Sequence, residues 1–173
     1  AKLLDHLVQH PKKVNVLLME GTLIGERTNE LSISEFDLEN RFVSIIEETP
    51  GIVLVTISSQ NIDRIVTVFK AAVQTGRKLI IDFYTAEILE RLKTFAKLPQ
   101  ASWANIRVCY PQLLGRWFEK LGLDDILARH RKNGIRWSRI REDEANAVML
   151  IRAGFLYDIK KFLSLENATW IYS

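Results

Sequence analysis

The sequence predicts a doubly wound α/β fold: a mainly parallel, Rossmann-like sheet of about six strands with helices on both faces. Strand-like and helix-like stretches alternate along the chain, and this alternation implies right-handed crossovers between parallel strands. The stretch Ile52–Ile57 is apolar on both sides, as is typical of a strand covered by helices on both faces. The 173 residues are enough to bury a core, and we expect them to form a single domain.

The first part of the chain predicts a helix at residues 2–9, a strand at Val14–Met19 and a long polar loop at Gly21–Ser32. Long loops in compact domains are often functional. Ser34 then marks a helix N-terminus, with Asp37 three residues on as its capping-box partner. The expected buried face of that helix consists of Phe36, Leu38, Phe42, Ile45 and Ile46.

Five more strands are predicted by short apolar runs. They are Ile52–Ile57, Leu79–Phe83, Ile106–Tyr110, Ala147–Ile151 and Ala168–Tyr172. The connecting pattern predicts a helix that runs to Thr75, with Gly76 at its C′ position. It also predicts a helix at 85–96 with Glu87 in its first turn, and a helix at Phe155–Leu163.

Residues 112–143 interrupt the alternation and predict an inserted or lid-like helical excursion. We expect two short helices, at about 112–121 and 124–131, and then a turn at Asn133–Gly134. The net charge is +3, and residues 129–141 contain six arginines and lysines with no acid among them. The basic character is therefore local, which is weak support for an anionic partner.

The cellular setting follows from the cysteine content and hydropathy. Cys109 is the one cysteine and lies in an apolar run, so we expect no disulfide framework and a reducing compartment, the cytoplasm. The apolar runs are well short of the ~20 residues of a membrane span, and we expect no membrane partner. A helical pattern that starts without a cap, and a strand that ends the chain, lead us to expect an excised part of a longer protein.

In open parallel sheets, ligands bind beyond the carboxyl ends of the strands. The predicted strand ends present a rim of polar residues. They are Glu20, Thr22, Ser58, Ser59, Gln60, Asn61, Asp82, Tyr84, Thr85, Tyr110, Arg152 and Ser173. Helix capping is the alternative explanation for each of them, and for Asp82, Thr85 and Tyr110 it is the favoured one. Glu20 ends an apolar run, so its charge needs a partner, which could be chemical or a structural pairing with Arg64 or Arg152.

The stretch from Ser58 to Arg64 is the best candidate for an anion site. Free N–H groups at a helix N-terminus suit a phosphate, and Arg64 adds a bidentate donor. Plain N-capping by Ser59 is the alternative. No glycine-rich nucleotide loop follows any predicted strand, which argues against a nucleotide cofactor.

Arg136, Trp137 and Arg139 combine cations with an aromatic ring, as a surface that binds phosphates and stacks a base does. A solvated helical segment, or a contact with a neighbouring domain, explains the pattern equally well. We expect no metal site in this chain, because His6 and His10 have metal-compatible spacing but no third ligand. No serine or cysteine nucleophile set can be assembled.

Met19–Gly25 resembles the start of the β-CASP region in the β-CASP branch of the metallo-β-lactamase superfamily, which includes ribonuclease J and the mRNA 3′-end processing endonucleases. Ser58–Arg64 resembles that family's Ser-Asn-x-x-Arg element, with Gln60 where the family often has serine. Asn61 and Arg64 keep the spacing. The order of elements is similar over essentially the whole chain.

The resemblance implies a Rossmann-like insert that clamps RNA or DNA against a di-zinc site in a metallo-β-lactamase domain. Glu20 would be the acid that supports proton transfer there. The zinc-binding histidine motif is absent from this chain, so the resemblance implies two zinc ions in a missing domain, and an inactive isolated chain.

Two hypotheses result from the sequence. The first is the nucleic-acid-clamping domain of a zinc-dependent nuclease-like hydrolase, with Glu20 catalytic. Its expected phosphate and nucleic-acid contacts are Thr22, Ser58, Ser59, Asn61, Arg64, Arg136, Trp137, Arg139 and Arg152. The second is a non-catalytic Rossmann-like binding or protein-interaction module. An oligomer is compatible with either hypothesis.

Overall fold

Five parallel strands form one sheet in the part of the chain that the computed structural model describes, residues 34–173. The strands are β1 (Val53–Thr56), β2 (Lys78–Asp82), β3 (Ile106–Cys109), β4 (Ala147–Ile151) and β5 (Thr169–Tyr172). Their spatial order is β3-β2-β4-β1-β5, and every neighbouring pair is parallel. The doubly wound α/β prediction is thereby confirmed. The predictions for the helix at 2–9, the strand at Val14–Met19 and the loop at Gly21–Ser32 lie outside the described residues.

Seven α-helices connect and cover these strands in residues 34–173. They are α1 (Glu35–Glu48), α2 (Ile62–Gln74), α3 (Phe83–Leu92), α4 (Gln112–Lys120), α5 (Asp124–His130), α6 (Trp137–Glu142) and α7 (Leu156–Phe162). Short 3-10 turns at Arg131–Asn133, Glu144–Asn146 and Ala153–Phe155 join some of them. Helix α6 lies in the basic segment, where the sequence predicted only a turn.

Helix α1 begins as its capping box predicts. The Asp37 N–H donates to Ser34 Oγ at 3.1 Å, and the Ser34 N–H donates to Asp37 Oδ2 at 3.3 Å. The predicted burial of Phe36 is wrong, because this side chain is 70% exposed. The buried residues of α1 are Phe42 and Ile46, and Phe36 lies about 120° around the helix from Phe42.

Helix α3 begins two residues earlier than predicted, because Asp82 ends β2 and caps α3 at once. Its Oδ1 accepts hydrogen bonds from the N–H groups of Tyr84 and Thr85, at 2.9 and 3.1 Å. The prediction that Glu87 lies in the first turn is therefore wrong. Glu87 lies in the second turn, and its side chain is buried.

The central strands send alternate side chains to two separate cores. In β2, Leu79 and Ile81 belong to the core beneath helices α1 to α5, whereas Ile80 belongs to the core beneath α6 and α7. Strand β4 alternates in the same way, with Val148 in the first core and Met149 in the second. This double burial is why the strands read as continuous apolar runs in the sequence.

The chain leaves two adjacent central strands toward opposite faces of the sheet. After β1 it passes through α2, on the face of the first core, and reaches β2. After β4 it passes through α7, on the face of the second core, and reaches β5. Because β1 and β4 are hydrogen-bonded neighbours, a crevice opens between their carboxyl ends. Such a topological switch point is the usual ligand position in open α/β sheets.

The excursion at 112–143 contributes to both cores. Phe118, Ile126 and Leu127 are buried in the first core, and Ile140 is buried in the second. The stretch after α5 is held to the outer edge of β3, where Ile135 N–H donates to the Val108 carbonyl at 2.8 Å. Gly134 bridges Val108 in parallel, and a Cβ there would lie 2.9 Å from the Arg131 carbonyl oxygen.

Candidate functional site

The crevice at the switch point combines two hydroxyls, one carboxylate and one guanidinium. Its lining residues are Ile57, Ser59, Asp82, Thr85, Leu150, Ile151 and Arg152. They lie at the carboxyl ends of β1, β2 and β4 or in the first turn of α3. The space between them is too narrow to admit a water molecule. A ligand would therefore contact the outer rim of the crevice, where Arg152 lies.

Arg152 pairs with Asp82 at this rim. Its Nη2 donates to Asp82 Oδ1 at 2.7 Å, and the Asp82 side chain is buried. Asp82 also accepts hydrogen bonds from two backbone N–H groups of α3 and from the Thr85 hydroxyl. These donors satisfy the hydrogen-bonding capacity of the buried carboxylate. Asp82 thus caps α3 and holds Arg152 in one orientation.

The remaining donors of Arg152 are not all used within the described residues. Its Nε is buried and has no hydrogen-bond partner among them. The guanidinium lies over the rings of Tyr84 and Phe155, at 5.1 and 5.3 Å from their centroids. Its side chain keeps 29% of its surface exposed. An oriented, partly exposed guanidinium is suited to an anion.

Ser59 lies inside the hydroxyl network rather than at its surface. Its Oγ is 2.9 Å from Thr85 Oγ1, and the Thr85 hydroxyl donates to Asp82 Oδ2 at 2.7 Å. Because the Thr85 proton goes to Asp82, Ser59 must be the donor to Thr85. Ser59 then offers a ligand only acceptor lone pairs in this arrangement.

Asn61 and Arg64 both have internal partners. The Arg64 N–H donates to Asn61 Oδ1 at 3.2 Å, so Asn61 caps α2 in the position that the alternative explanation gave to Ser59. The Arg64 guanidinium donates to Glu35 at 3.2 and 3.4 Å and also contacts the Ser173 hydroxyl. The hydrogen bond from Arg64, with one from Thr67, lowers the pKa of Glu35.

Ser58 is exposed and lies before the N-terminus of α2, where its Oγ accepts a hydrogen bond from the Gln60 N–H at 3.2 Å. Its own proton remains available to a ligand. Of the predicted contacts that follow β1, Ser58 is the one whose hydroxyl has no assigned acceptor in the described part of the chain.

Arg136 follows the stretch that is held to the outer edge of β3, whereas Trp137 and Arg139 lie on α6, which covers the second core. Arg136 is exposed, with no side-chain partner among residues 34–173. Arg139 pairs with Glu142 at 2.6 Å. The Trp137 ring stacks on Phe162 at 5.7 Å and its Nε1 donates to the Tyr110 carbonyl at 3.4 Å. Trp137 is half-buried, so most of its ring already has a packing partner.

Sequence reasoning missed a buried charge cluster that joins α3 to α5. Glu87 Oε1 accepts hydrogen bonds from Arg91 and Arg129 at 2.7 and 2.6 Å, and Glu87 Oε2 lies 3.0 Å from His130 Nε2. Burial raises the pKa of Glu87, but the hydrogen bonds from Arg91 and His130 and the nearby guanidinium charges outweigh it and lower that pKa. The one local signal was the Glu87–Arg91 spacing of four residues. Arg129 and His130, counted in the basic segment, thus hold α5 in place.

Two further observations bear on cofactors and membranes. Within residues 34–173, no three histidine, cysteine, aspartate or glutamate side chains lie close enough to hold a metal ion. This part of the chain therefore does not fit a zinc site. Glu20 and Thr22 lie outside the described residues. None of the described helices has the length and hydropathy that crossing a membrane requires.

The sequence matches no protein-family model, and a comparison with curated proteins finds no significant match.

Proposed function

We propose that this chain is the nucleic-acid-clamping β-CASP domain of a zinc-dependent, metallo-β-lactamase-fold nuclease-like hydrolase. The intact protein would hydrolyse a phosphodiester, and the isolated chain would be inactive. The resemblance at Met19–Gly25 and Ser58–Arg64 supports this proposal, as does the doubly wound parallel sheet. Glu20 is the proposed catalytic residue, with a role in proton transfer. The zinc ions would be bound outside residues 34–173.

Arg152 is the residue that best supports nucleic-acid binding. It is a guanidinium at the switch point of the sheet, fixed by Asp82 and partly exposed. Guanidinium groups bind phosphate through paired N–H donors, and they stay charged at physiological pH. We therefore assign the central phosphate contact to Arg152, with Ser58 beside it and Arg136 as an outlying cation.

The other predicted nucleic-acid contacts would position the rim or make secondary contacts with the ligand. Ser59, Asn61 and Arg64 position the rim through their internal hydrogen bonds. Thr22, Trp137 and Arg139 stay as predicted secondary contacts. We also propose a cytoplasmic location, because Cys109 is a buried free thiol, as expected of a protein kept in a reducing compartment.

A second candidate function, a non-catalytic binding or protein-interaction module, is favoured by one observation. The side chains of Asn61 and Arg64, which carry the family-like spacing, cap α2 and pair with Glu35. Because both side chains stabilise the fold, their presence at this spacing does not require a role in binding. The two candidates differ in whether binding depends on phosphate charge.

The test is a titration of the 173-residue chain with a labelled single-stranded oligonucleotide at about 50 mM and about 200 mM salt. A surface that binds phosphates must lose affinity steeply between these conditions. Arg152→Gln should weaken binding and reduce the slope of log affinity against log salt by about 0.7 for each phosphate that the variant no longer neutralises. Arg152→Lys keeps the charge without the paired donors, and its affinity should lie between those of Arg152→Gln and the unchanged chain.

Lys97→Gln is the matched control, because Lys97 is an exposed cation that lies away from the crevice lining. It should leave both the affinity and the salt slope nearly unchanged. Thermal unfolding of each variant separates a weakened binding surface from a destabilised fold. Salt-independent binding, or equal reductions in affinity for Arg152→Gln and Lys97→Gln, would move the conclusion to the second candidate.

A further inference from the structure

An apolar groove adjoins the switch-point crevice and shares Arg152 with it. The groove has a volume of about 250 Å³ and runs between α4 and the turn at Ala153–Phe155. Its lining residues are Leu113, Leu114, Trp117, Arg152, Gly154 and Phe155. One guanidinium therefore lies at the border between a polar rim and an apolar slot.

Two large apolar side chains of the groove are unusually exposed. Leu113 is 50% exposed and Trp117 is 55% exposed, and they lie four residues apart on the same face of α4. The buried anchor of α4 is the neighbouring residue Phe118. The outward face of α4 thus presents a flat indole ring and an aliphatic side chain beside a cation.

The indole is held on a rigid support. Trp117 lies edge-on to Phe118, with ring centroids 5.4 Å apart, and Phe118 packs edge-on against Phe83 at 5.0 Å and Tyr84 at 6.0 Å. Tyr84 in turn lies under the Arg152 guanidinium. This aromatic chain fixes α4 relative to Arg152, so a ligand would not need to order the groove before it binds.

The groove is wide at Gly154, where the absence of a side chain leaves it open. A Cβ built at Gly154 meets no atom within 4 Å. The two helices next to the groove carry more basic than acidic residues: Arg116 and Lys120 on α4 and Lys160 and Lys161 on α7, against Glu119 and the buried Asp158. The local charge therefore favours a ligand with an anionic end.

We propose that this groove is a base-binding subsite for a nucleoside phosphate, with the base against Trp117 and Leu113 and the phosphate on Arg152. The inference rests on the proposed function for its phosphate contact and adds the recognition of a base. Every nucleobase has a flat π face that can stack on an exposed indole, whereas a duplex would keep its bases inaccessible to this slot. The ligand is a free nucleotide or one unstacked nucleotide of a single strand.

The first test compares adenosine 5′-monophosphate with ribose 5-phosphate, which has the same phosphate and no base. The mononucleotide should bind the 173-residue chain more tightly. Trp117→Ala should lower its affinity about tenfold, the usual effect when a base has no aromatic partner, while leaving ribose 5-phosphate binding unchanged. A second comparison distinguishes a free nucleotide from a nucleotide of a single strand as the ligand, and it uses an oligoadenylate and its duplex with oligouridylate. A subsite for a single strand should bind the unpaired oligoadenylate more tightly than the duplex.

The second test fills the groove. Gly154→Leu should weaken binding of the mononucleotide and leave ribose 5-phosphate binding unchanged, because the added side chain occupies the space of the base and does not reach the phosphate. Gly115→Leu is the matched control: Gly115 is on α4, its Cβ also meets no atom within 4 Å, and it does not line the groove. This control should bind the mononucleotide like the unchanged chain.

Equal affinities for the mononucleotide and ribose 5-phosphate would overturn the base subsite while leaving the phosphate contact of the proposed function intact. Unaltered mononucleotide binding in Trp117→Ala or Gly154→Leu would also overturn it. Failure of the proposed function itself looks different, because oligonucleotide binding would then be absent or salt-independent in the unchanged chain. If Trp117→Ala unfolds, Trp117→Leu keeps apolar bulk, removes the ring, and should show the same reduction in affinity.

Discussion

Asp158 is a fully buried carboxylate on α7 that caps a different helix. Its Oδ2 accepts the Gln112 N–H at 2.9 Å, where Pro111 offers α4 no side-chain cap, and its Oδ1 has no partner in the described part of the chain. Burial raises the pKa of Asp158, while the Gln112 hydrogen bond and the charges of Lys161 and Arg116 partly oppose that effect. One residue thus combines a useful cap with an unfavourable buried charge.

The pH dependence of Asp158 follows from the direction of its pKa. A carboxyl whose pKa is higher in the folded state destabilises the fold above that pKa, and the penalty is relieved as the pH falls toward the unfolded value. Asp158→Asn keeps an acceptor for Gln112 and removes the charge. The stability of the unchanged chain relative to this variant should therefore rise as the pH is lowered from about 7 to about 4. Urea unfolding of both proteins across that range checks the sign, and a fall would contradict the assignment.

At the scale of the element, the attachment of α5 depends on charges that lie far apart in sequence. Glu87→Gln removes the negative charge and one of the two carboxylate oxygens that Arg91, Arg129 and His130 share. We expect it to cost about 1–3 kcal/mol, since the arginines can regain water but His130 stays buried. Glu90→Gln on the same helix breaks only the more exposed pair with Lys93 and should cost less than about 1 kcal/mol. Urea unfolding gives the two values, and hydrogen exchange should show faster opening of α5 amides in the first variant alone. Equal destabilisation by the two changes would contradict this role of Glu87.

The cluster around Glu87 also makes the stability of the fold depend on pH. The pKa of Glu87 is lowered in the folded state, so its contribution is complete above the ordinary value of 4.5 and is lost as the pH falls through the folded value. Lowering the pH thus weakens the attachment of α5 at Glu87 while it relieves the charge at Asp158. The two effects oppose each other in acid, and the Glu87→Gln and Asp158→Asn variants separate them.

Element boundaries were predictable where their signals are local. The capping box at Ser34 and Asp37 lies within four residues, and it gave the start of α1 correctly. The start of α3 was missed because Asp82 ends a strand and caps a helix at once. The role of Glu87 was missed because two of its partners lie 42 and 43 residues away.

At the scale of the whole molecule, the two cores are separated by the sheet and should respond independently to mutation. Ile65 on α2 and Ile159 on α7 are buried in different cores, and each change to alanine should cost about 2–5 kcal/mol. The double variant should be destabilised by the sum to within about 0.5 kcal/mol. Phe83 and Phe118 share one core with centroids 5.0 Å apart, so Phe83→Leu and Phe118→Leu should deviate from additivity by more than that. Urea unfolding of both cycles gives the values, and strong coupling of Ile65 with Ile159 would contradict independent cores.

The α/β class was predicted correctly because two of its signals are present in the sequence. Strand-like and helix-like stretches alternate along the chain, and strands that are buried on both faces are continuous apolar runs. The run Ala147–Ile151 even matches β4 at both ends. The strand order was not predictable, since a short apolar run does not identify its neighbours. Arg152 was found at a strand end, but its pairing with Asp82, 70 residues away, depends on that order. The exposed face of α4 was not predicted, because apolar residues at helical spacing do not show by themselves whether their side chains are buried.

The attachment of Gly134 and Ile135 to Val108 has a consequence for how the protein avoids self-association. β3 is an outermost strand of the described sheet, and a bare outer strand offers unpaired N–H and C=O groups to the strand of another molecule. Here the Val108 carbonyl already accepts the Ile135 N–H, and exposed cations at Arg131, Lys132 and Arg136 flank the contact. A second copy approaching this edge would meet an occupied acceptor and like charges. The basic segment therefore protects this edge of the sheet from pairing with a strand of another molecule.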